Sequence, residues 1–232
     1  MITFLIPCYN EEQVIERTLT SLSSKIATLG ESEILVIDDC STDKTQEILN
    51  SLKIKIKNLR IVRHEKNQNL GGALKTGFRE AKGEIIVAMD ADLTHPIDLI
   101  PLMIEPLKNG FDVAFASRYA VGGGMKNVPA WRVALSYCAN RFFGIIFITR
   151  LGDLTSGFRA YRKGVVNKIN LHEKGFAAQL ELTVKLIKSK AKIIEIPYTL
   201  VNREIGQSKF NLFSAIWKYA YVILKLFIYR WF

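Results

Sequence analysis

Apolar residues along the chain fall into short unbroken runs separated by longer stretches of helical period. The runs ITFLI (2–6), EILVID (33–38), LRIVRH (59–64) and EIIVAM (84–89) have the length of strands. They are too continuously apolar for a sheet with one wet face. Between the first two, Val14, Ile15, Leu19 and Leu22 fall on one stripe of a helix predicted over residues 11–28. STDKTQEIL opens a second helix, with Ser41 or Thr42 as its N-cap, and NLGGALKTGFREAK reads as a turn followed by a third. Strands alternating with helices predict an α/β domain whose mostly parallel sheet is covered on both faces.

Composition fits that picture. A chain of 232 residues, 49% hydrophobic and 23% charged, supports one well-filled domain or a domain with a small appendage. The formal charge of +10 points to anionic partners: nucleic acid, phosphorylated metabolites or an acidic membrane surface. Cys8, Cys40 and Cys138 are odd in number and lack metal-ligand spacing, so they read as reduced thiols on the cytosolic side. MITFLIPCYN reads as a first strand and not as a signal peptide. The first strand is followed by PCYNEEQ in place of G-x-G-x-x-G, which disfavours a nicotinamide dehydrogenase. The Gly-rich stretch AVGGGMKNVPAW (120–131) lacks the ending of a P-loop and is expected to be a mobile loop.

Ligand-binding residues of such sheets collect beyond the carboxyl ends of the strands. Two strands deliver acids there, Asp38/Asp39 and Asp90/Asp92. One acid after a strand is usually a turn former or cap, but two pairs at one edge suggest a site. The Asp-x-Asp at 90–92 suits Mg²⁺ or Mn²⁺, hard cations that keep positions open for substrate phosphates. In a basic chain the natural third partner is a nucleotide diphosphate, whose departure such a metal assists. His95 offers a ligand or an acid, although a His-Pro pair after a strand is more often a turn element. Glu181, among Leu180, Leu182 and Val184, is read as an acid on a helix surface or one that reaches a sugar.

Seven segments, IPCYNEE, VIDDCSTDKT, NLGGALKTGF, MDADLTHP, SRYAVGGG, TSGFRAYRK and VNREIGQSKFN, occur in this order between residues 6 and 211. In that order they resemble family 2 glycosyltransferases of the GT-A fold, a Rossmann-like, mostly parallel sheet flanked by helices. The last three resemble the branch that acts on polyprenyl phosphates, the dolichol-phosphate mannose synthases among them. The resemblance implies a nucleotide-sugar donor, with Pro7, Tyr9 and Glu11 against base and ribose and Asp38 contacting the base. It implies Asp90 and Asp92 as ligands of the metal that bridges the diphosphate. The next alternate position, Gln in that branch, is here Thr94, a shorter and weaker ligand. Arg118, Arg132, Ser136, Arg203 and Lys209 match positions that grip phosphates of donor and acceptor, with Arg118, Arg203 and Lys209 counted among the catalytic set.

The physics of a phosphate acceptor agrees with a cationic site. A phosphate monoester has a second pKa near ~6 and is already mostly dianionic at neutral pH. It needs no general base, but it needs fixed cations to lie beside another anion. Arg suits this through its planar fork and Lys as a point charge, and Gly206 permits a tight turn between Arg203 and Lys209.

The reading is then an inverting, metal-dependent transferase that moves a hexose, mannose from GDP-mannose first, to dolichyl or polyprenyl phosphate. It has no nucleic-acid partner. UDP-glucose as donor, a nucleotidyltransferase and a catalytically silent membrane-docking module are the alternatives. A lipid acceptor implies a membrane surface on the cytosolic side. The tail at 212–232 is long enough to span, but Lys218 and Lys225 each cost about 2.5–3.5 kcal/mol at mid-membrane. Ser214, Lys218, Tyr221, Lys225 and Tyr229 form one polar stripe. The expectation is a catalytic domain over residues 1–211 and an amphipathic helix over 212–232 lying in the interface. The stretch 131–150, beside Arg132 and Ser136, is expected to cradle the lipid end of the acceptor.

Overall fold

The computed structural model describes residues 1–92 and 94–201. Arg203, Gly206, Lys209 and the predicted helix at 212–232 lie outside the described residues. The chain runs β1 (Ile2–Cys8), α1 (Ile15–Ile26), β2 (Ser32–Asp38), α2 (Thr45–Lys55), β3 (Leu59–Arg63), α3 (Asn69–Glu80) and β4 (Ile85–Ala88). A 3-10 turn (Ile97–Leu99) leads into α4 (Ile100–Lys108), then β5 (Val113–Ser117), β6 (Gly124–Lys126) and α5 (Ala130–Ile146). The remaining elements are β7 (Arg159–Arg162), α6 (Lys163–Val166), α7 (Ala177–Lys188), β8 (Ile193–Pro197) and β9 (Thr199–Val201).

Seven strands form one sheet in the order β3-β2-β1-β4-β7-β5-β8. Its pairs are parallel except for the two made by β7, which runs antiparallel between β4 and β5. The alternation of strand side chains divides the core in two. Phe4, Ile6, Ile34, Val36, Val87 and Ala114 face a cluster completed by α1, α2 and α4. Leu5, Leu35, Ile37, Ile86 and Phe115 face a second cluster with α3 and α7. This is why the sequence shows continuous apolar runs: both faces of each central strand are buried. α3 approaches β1 so closely that a Cβ on Gly77 would lie 2.2 Å from Leu5 Cδ1, so only glycine fits there.

From β1 the chain steps outward to β2 and β3, then returns past β1 to β4, changing sheet face as it does so. The carboxyl ends of β1 and β4 therefore flank a switch point, the place where open α/β sheets bind ligands.

Three local expectations need correction. The first helix starts at Ile15 and not at residue 11, because residues 10–12 are tied to the turn after β2. There the Asn10 and Glu11 N–H groups donate to Ser41 Oγ and Thr45 Oγ1, both at 2.9 Å. Ser41 and Thr42 are thus occupied by Asn10 and cap nothing. The helix they were expected to open starts at Thr45, whose N–H donates to Asp43 Oδ1 at 3.0 Å. Finally, the Gly-rich stretch at 120–131 is not simply a loop: it contains β6, which pairs in parallel with β9.

Candidate active site

Four strands of the sheet bring functional groups to one edge. β1 ends at Cys8 opposite Asp38 of β2, and the Met89 N–H donates to the Leu5 carbonyl, so β4 leaves the sheet beside β1. Pro7, Tyr9 and Glu11 follow one another over this edge, Tyr9 exposed and the other two half-buried. Asp38 lies wholly beneath the surface, at 0% exposure. Its Oδ1 accepts the Ser41 N–H at 3.0 Å, and its Oδ2 lies 3.6 Å from Arg63 Nε and takes no hydrogen bond among the described residues. A base could meet this carboxylate only after neighbouring side chains move.

Asp39 is also buried, and its partners are within the chain. Its Oδ1 sits 2.7 Å from His64 Nδ1 and accepts the Gln68 N–H at 2.8 Å, while His64 Nε2 lies 2.9 Å from Thr76 Oγ1. This second acid of the pair ties β3 and α3 to the end of β2.

Asp90 and Asp92 stand differently. The Asp90 side chain keeps 43% of its surface exposed, just beyond β4. A Cβ on Gly157 would lie 3.4 Å from Asp90 Oδ1, so the segment before β7 runs close along this carboxylate. Asp92 is buried, and its Oδ1 accepts both the Thr94 hydroxyl at 2.6 Å and the Thr94 N–H at 3.1 Å. Thr94 therefore orients Asp92. Among the described residues no group of three or more His, Cys, Asp or Glu converges as a metal cage. Two carboxylates at a strand end suit a hard divalent cation that takes its other ligands from water and phosphate oxygens. Such an ion would supply charge neutralisation of a departing diphosphate.

The cationic side of the edge is built on β5. Arg118 follows Ser117 and forms a two-point pair with Asp153, Nε to Oδ2 and Nη2 to Oδ1, both at 2.7 Å. Asp153 is 0% exposed, and its own N–H and that of Gly152 donate to the Glu195 carboxylate on β8. Burial pushes the Arg118 guanidinium down, but the bonds and charge of Asp153 outweigh it, and Arg118 ends above the ordinary arginine range. Burial likewise raises Asp153, and the Arg118 fork more than offsets it, leaving this carboxyl below its usual range. Arg118 is thus a permanent cation held at one orientation.

α5 lies over the end of β5. Tyr137 meets Tyr119 edge-on with centroids 5.6 Å apart, and Asn140 Oδ1 accepts the Leu154 N–H at 2.8 Å. Ser136 is half-buried on this helix, and Arg132 is exposed with its guanidinium 5.1 Å from the Trp131 ring centroid. The helix leaves Trp131, Leu135, Phe142 and Ile145 exposed, a broad apolar surface on one element. No helix among the described residues is long and apolar enough to cross a membrane.

Glu181 is not a helix-surface acid. It is 3% exposed, accepts the N–H groups of His172 and Glu173, and pairs with Lys185 at 2.7 Å, so it pins the segment before α7. Burial raises its carboxyl, and the Lys185 bond with the two N–H bonds brings it below the usual range. Asp153 escaped the sequence reading altogether. Its signal was weak: one acid shortly before TSGF, with nothing local to say that an arginine 35 positions earlier needed a partner.

Known proteins place this geometry. Residues 3–169 match the family model described as glycosyl transferase family 2. A dolichol-phosphate mannosyltransferase from Pyrococcus furiosus is 38% identical over 212 residues, covering 90% of this chain and 58% of that protein. The chain therefore spans less than two thirds of that relative's length. An undecaprenyl-phosphate mannosyltransferase from Micrococcus luteus is 32% identical, over 89% of this chain and 86% of its own. Glucosyl-3-phosphoglycerate synthase from Mycobacterium tuberculosis, solved with Mn²⁺, UDP and glucosyl-3-phosphoglycerate, superposes with a TM-score of 0.72. The match covers 97% of this chain and 78% of that one at 20% identity, a likeness of fold alone. With its aspartates at the β1–β4 switch point, the chain is a member of glycosyl transferase family 2, built on the GT-A fold.

Proposed function

We propose that this protein transfers a hexose, with inversion, from a nucleotide-diphosphate sugar to the phosphate of a polyprenyl or dolichyl lipid. Mannose from GDP-mannose is the favoured donor. The observation that carries the reading is one edge holding both an acidic pair suited to a divalent cation and a cation locked by a buried carboxylate. Relatives named for mannosyl transfer to dolichol phosphate and undecaprenyl phosphate support the choice of sugar and acceptor.

The residues divide the work by charge. Asp90 and Asp92 would hold Mg²⁺ or Mn²⁺, which supplies neutralisation of the leaving diphosphate when bound. Pro7, Tyr9 and Glu11 line the donor side of the edge. Arg118 stands at the other side with its fork fixed by Asp153, so its charge needs no reorganisation as two anions come together. Arg132, Ser136, Arg203 and Lys209 are assigned to the phosphate of the acceptor. The acceptor oxygen is already an anion at neutral pH and attacks the anomeric carbon without a base. The sugar–diphosphate bond breaks on the opposite face, which inverts the configuration.

The exposed apolar surface of α5 supports a lipid acceptor presented from a membrane on its cytosolic side, with the tail at 212–232 as interfacial anchor. The direct test supplies Mn²⁺ or Mg²⁺ and a polyprenyl phosphate, with labelled GDP-mannose and UDP-glucose in parallel. Label in the organic extract from GDP-mannose is expected. Label only from UDP-glucose would change the sugar, and none from either would move the acceptor or sugar elsewhere.

A further inference from the structure

His95 reads in the sequence as a turn residue, yet its ring is 5% exposed and stacks on Phe158 with centroids 4.7 Å apart and planes 10° from parallel. Tyr198 closes a second side edge-on, at 6.3 Å. So enclosed, the imidazole has little freedom to rotate, and its Nδ1 meets the backbone of Asp90. The Asp90 N–H donates to Nδ1 at 3.1 Å, and Nε2 lies 3.7 Å from Asp90 Oδ2. A backbone N–H can only donate, so Nδ1 must be the acceptor. The tautomer follows: Nε2 carries the ring proton, and at 3.7 Å it is too far from the Asp90 carboxylate for a hydrogen bond.

From this we infer that His95 is a positioning residue. It holds the Asp90 backbone through Nδ1 of a ring locked by Phe158 and Tyr198, and so sets where the carboxylate starts from. The inference rests on Asp90 as a ligand of the divalent cation. Its consequence is that the segment before β7 serves both halves of the site. Asp153 sets the direction of Arg118, and Phe158, five residues on, holds the ring that orients Asp90. Groups that orient metal ligands from behind typically change metal affinity about 10- to 100-fold when lost.

The test compares His95→Phe with His95→Asn. Phenylalanine keeps an aromatic ring against Phe158 and removes both nitrogens. Asparagine gives up the stack but can place its amide oxygen near the position of Nδ1, where it accepts the Asp90 N–H. Mn²⁺ alone is titrated into each folded protein, and the free ion is followed by its electron paramagnetic resonance signal. The expected order of affinity is wild type, then Asn, then Phe, with Phe weakened about 10- to 100-fold. Phe binding as tightly as wild type, with Asn the weakest, would assign His95 to packing and overturn the inference. Wild-type protein that binds no Mn²⁺ would instead remove the assignment of Asp90 as a metal ligand, a different failure. Should the Phe variant not fold, His95→Gln replaces it, since glutamine reaches the Nε2 position and not that of Nδ1. Asn must then bind Mn²⁺ more tightly than Gln, and equal affinities overturn the role of Nδ1.

Discussion

Two acid pairs end strands at the same sheet edge, and they differ in that only the second presents an acid at the surface. Asp38 and Asp39, at the end of β2, are 0% and 3% exposed, and Asp39 is bound by His64 and Gln68. The Asp90 side chain, after β4, is 43% exposed, and Asp92 behind it is oriented by Thr94. The difference comes from what lies over each strand end. β2 is followed by a turn that folds back on β1 and is packed by the start of α3. β4 sits at the switch point, where the chain has changed faces and the edge stays open. Acids at a strand end are therefore not a site by themselves. Asp153 is the extreme of the sealed kind, 0% exposed with both oxygens taken by the Arg118 fork.

The largest effect is expected from Asp153→Ala. Removing one partner of a buried ion pair typically costs about 3–5 kcal/mol, because the other charge is left without compensation. The denaturation midpoint should fall accordingly, and an unshifted midpoint would break the assignment of Asp153 as structural clamp. A pH signature accompanies it. The Asp153 carboxyl titrates below its usual range in the folded protein, so the stability it contributes is fully present above the unfolded value of about 3.9. That contribution is lost as pH falls through the lower folded value. Wild type should weaken along this limb, whereas Asp153→Asn should start weaker and change less.

Asp92→Ala comes next and reverses the pattern. Loss of one preorganised electrostatic group typically costs about 10²- to 10³-fold in turnover, or about 2.7–4 kcal/mol of barrier. Its thermal midpoint should move less than that of any sealed acid. A variant that unfolds early while retaining turnover per folded molecule would place Asp92 with the scaffold.

Asp39→Ala should do the converse at smaller scale. It deprives His64 and the Gln68 N–H of their acceptor, and bonds of this charged kind are worth about 1.5–3 kcal/mol. In a domain of this size that corresponds to a midpoint lower by about 3–12 °C. Donor affinity of the remaining folded protein should be unchanged, and a specific loss of donor binding would return Asp39 to the site.

Much of this was legible in residue order and much was not, for reasons that can be located. The strands were readable because burial on both faces makes a run of apolar residues that no other local structure demands. The Asp90–Asp92 spacing was readable because a strand end displays its own next residues. The fate of Asp39 was not, since His64 and Thr76, which complete its network, lie 25 and 37 positions away and are individually unremarkable. Arg118 stands out through the family resemblance, whereas its partner Asp153, 35 positions later, has no such signal. Glu181 looked like a surface acid because helical spacing puts it among leucines. Nothing local announced that the backbone N–H groups of His172 and Glu173 would cover it. The error at residue 11 has the same origin: periodicity continues into EEQ, but hydrogen bonds from Asn10 and Glu11 to the next loop hold the backbone out of a helix. Sequence pattern reports what a segment wants, and sites are made where distant segments decide for it.

The smallest expected effect tests how finely the open pair is tuned. Thr94 donates its hydroxyl and its N–H to the same oxygen of Asp92. Thr94→Val keeps the shape and the N–H bond and deletes only the hydroxyl. Asp92 keeps the Thr94 N–H, so the loss should stand at the low end for bonds to charged groups, about 1.5 kcal/mol, and kcat/KM should fall about 10-fold with a midpoint lowered no more than by Asp39→Ala. Thr94→Ser keeps the hydroxyl and should recover most of that loss. A loss as large as that of Asp92→Ala would mean that Thr94 oxygen acts on the ion directly, alongside the two carboxylates. A modest loss in Thr94→Val that Thr94→Ser recovers would instead leave Thr94 as the group that orients Asp92. That is the same service His64 and Gln68 perform for Asp39, with the difference that Asp92 lies behind an exposed acid and Asp39 behind none.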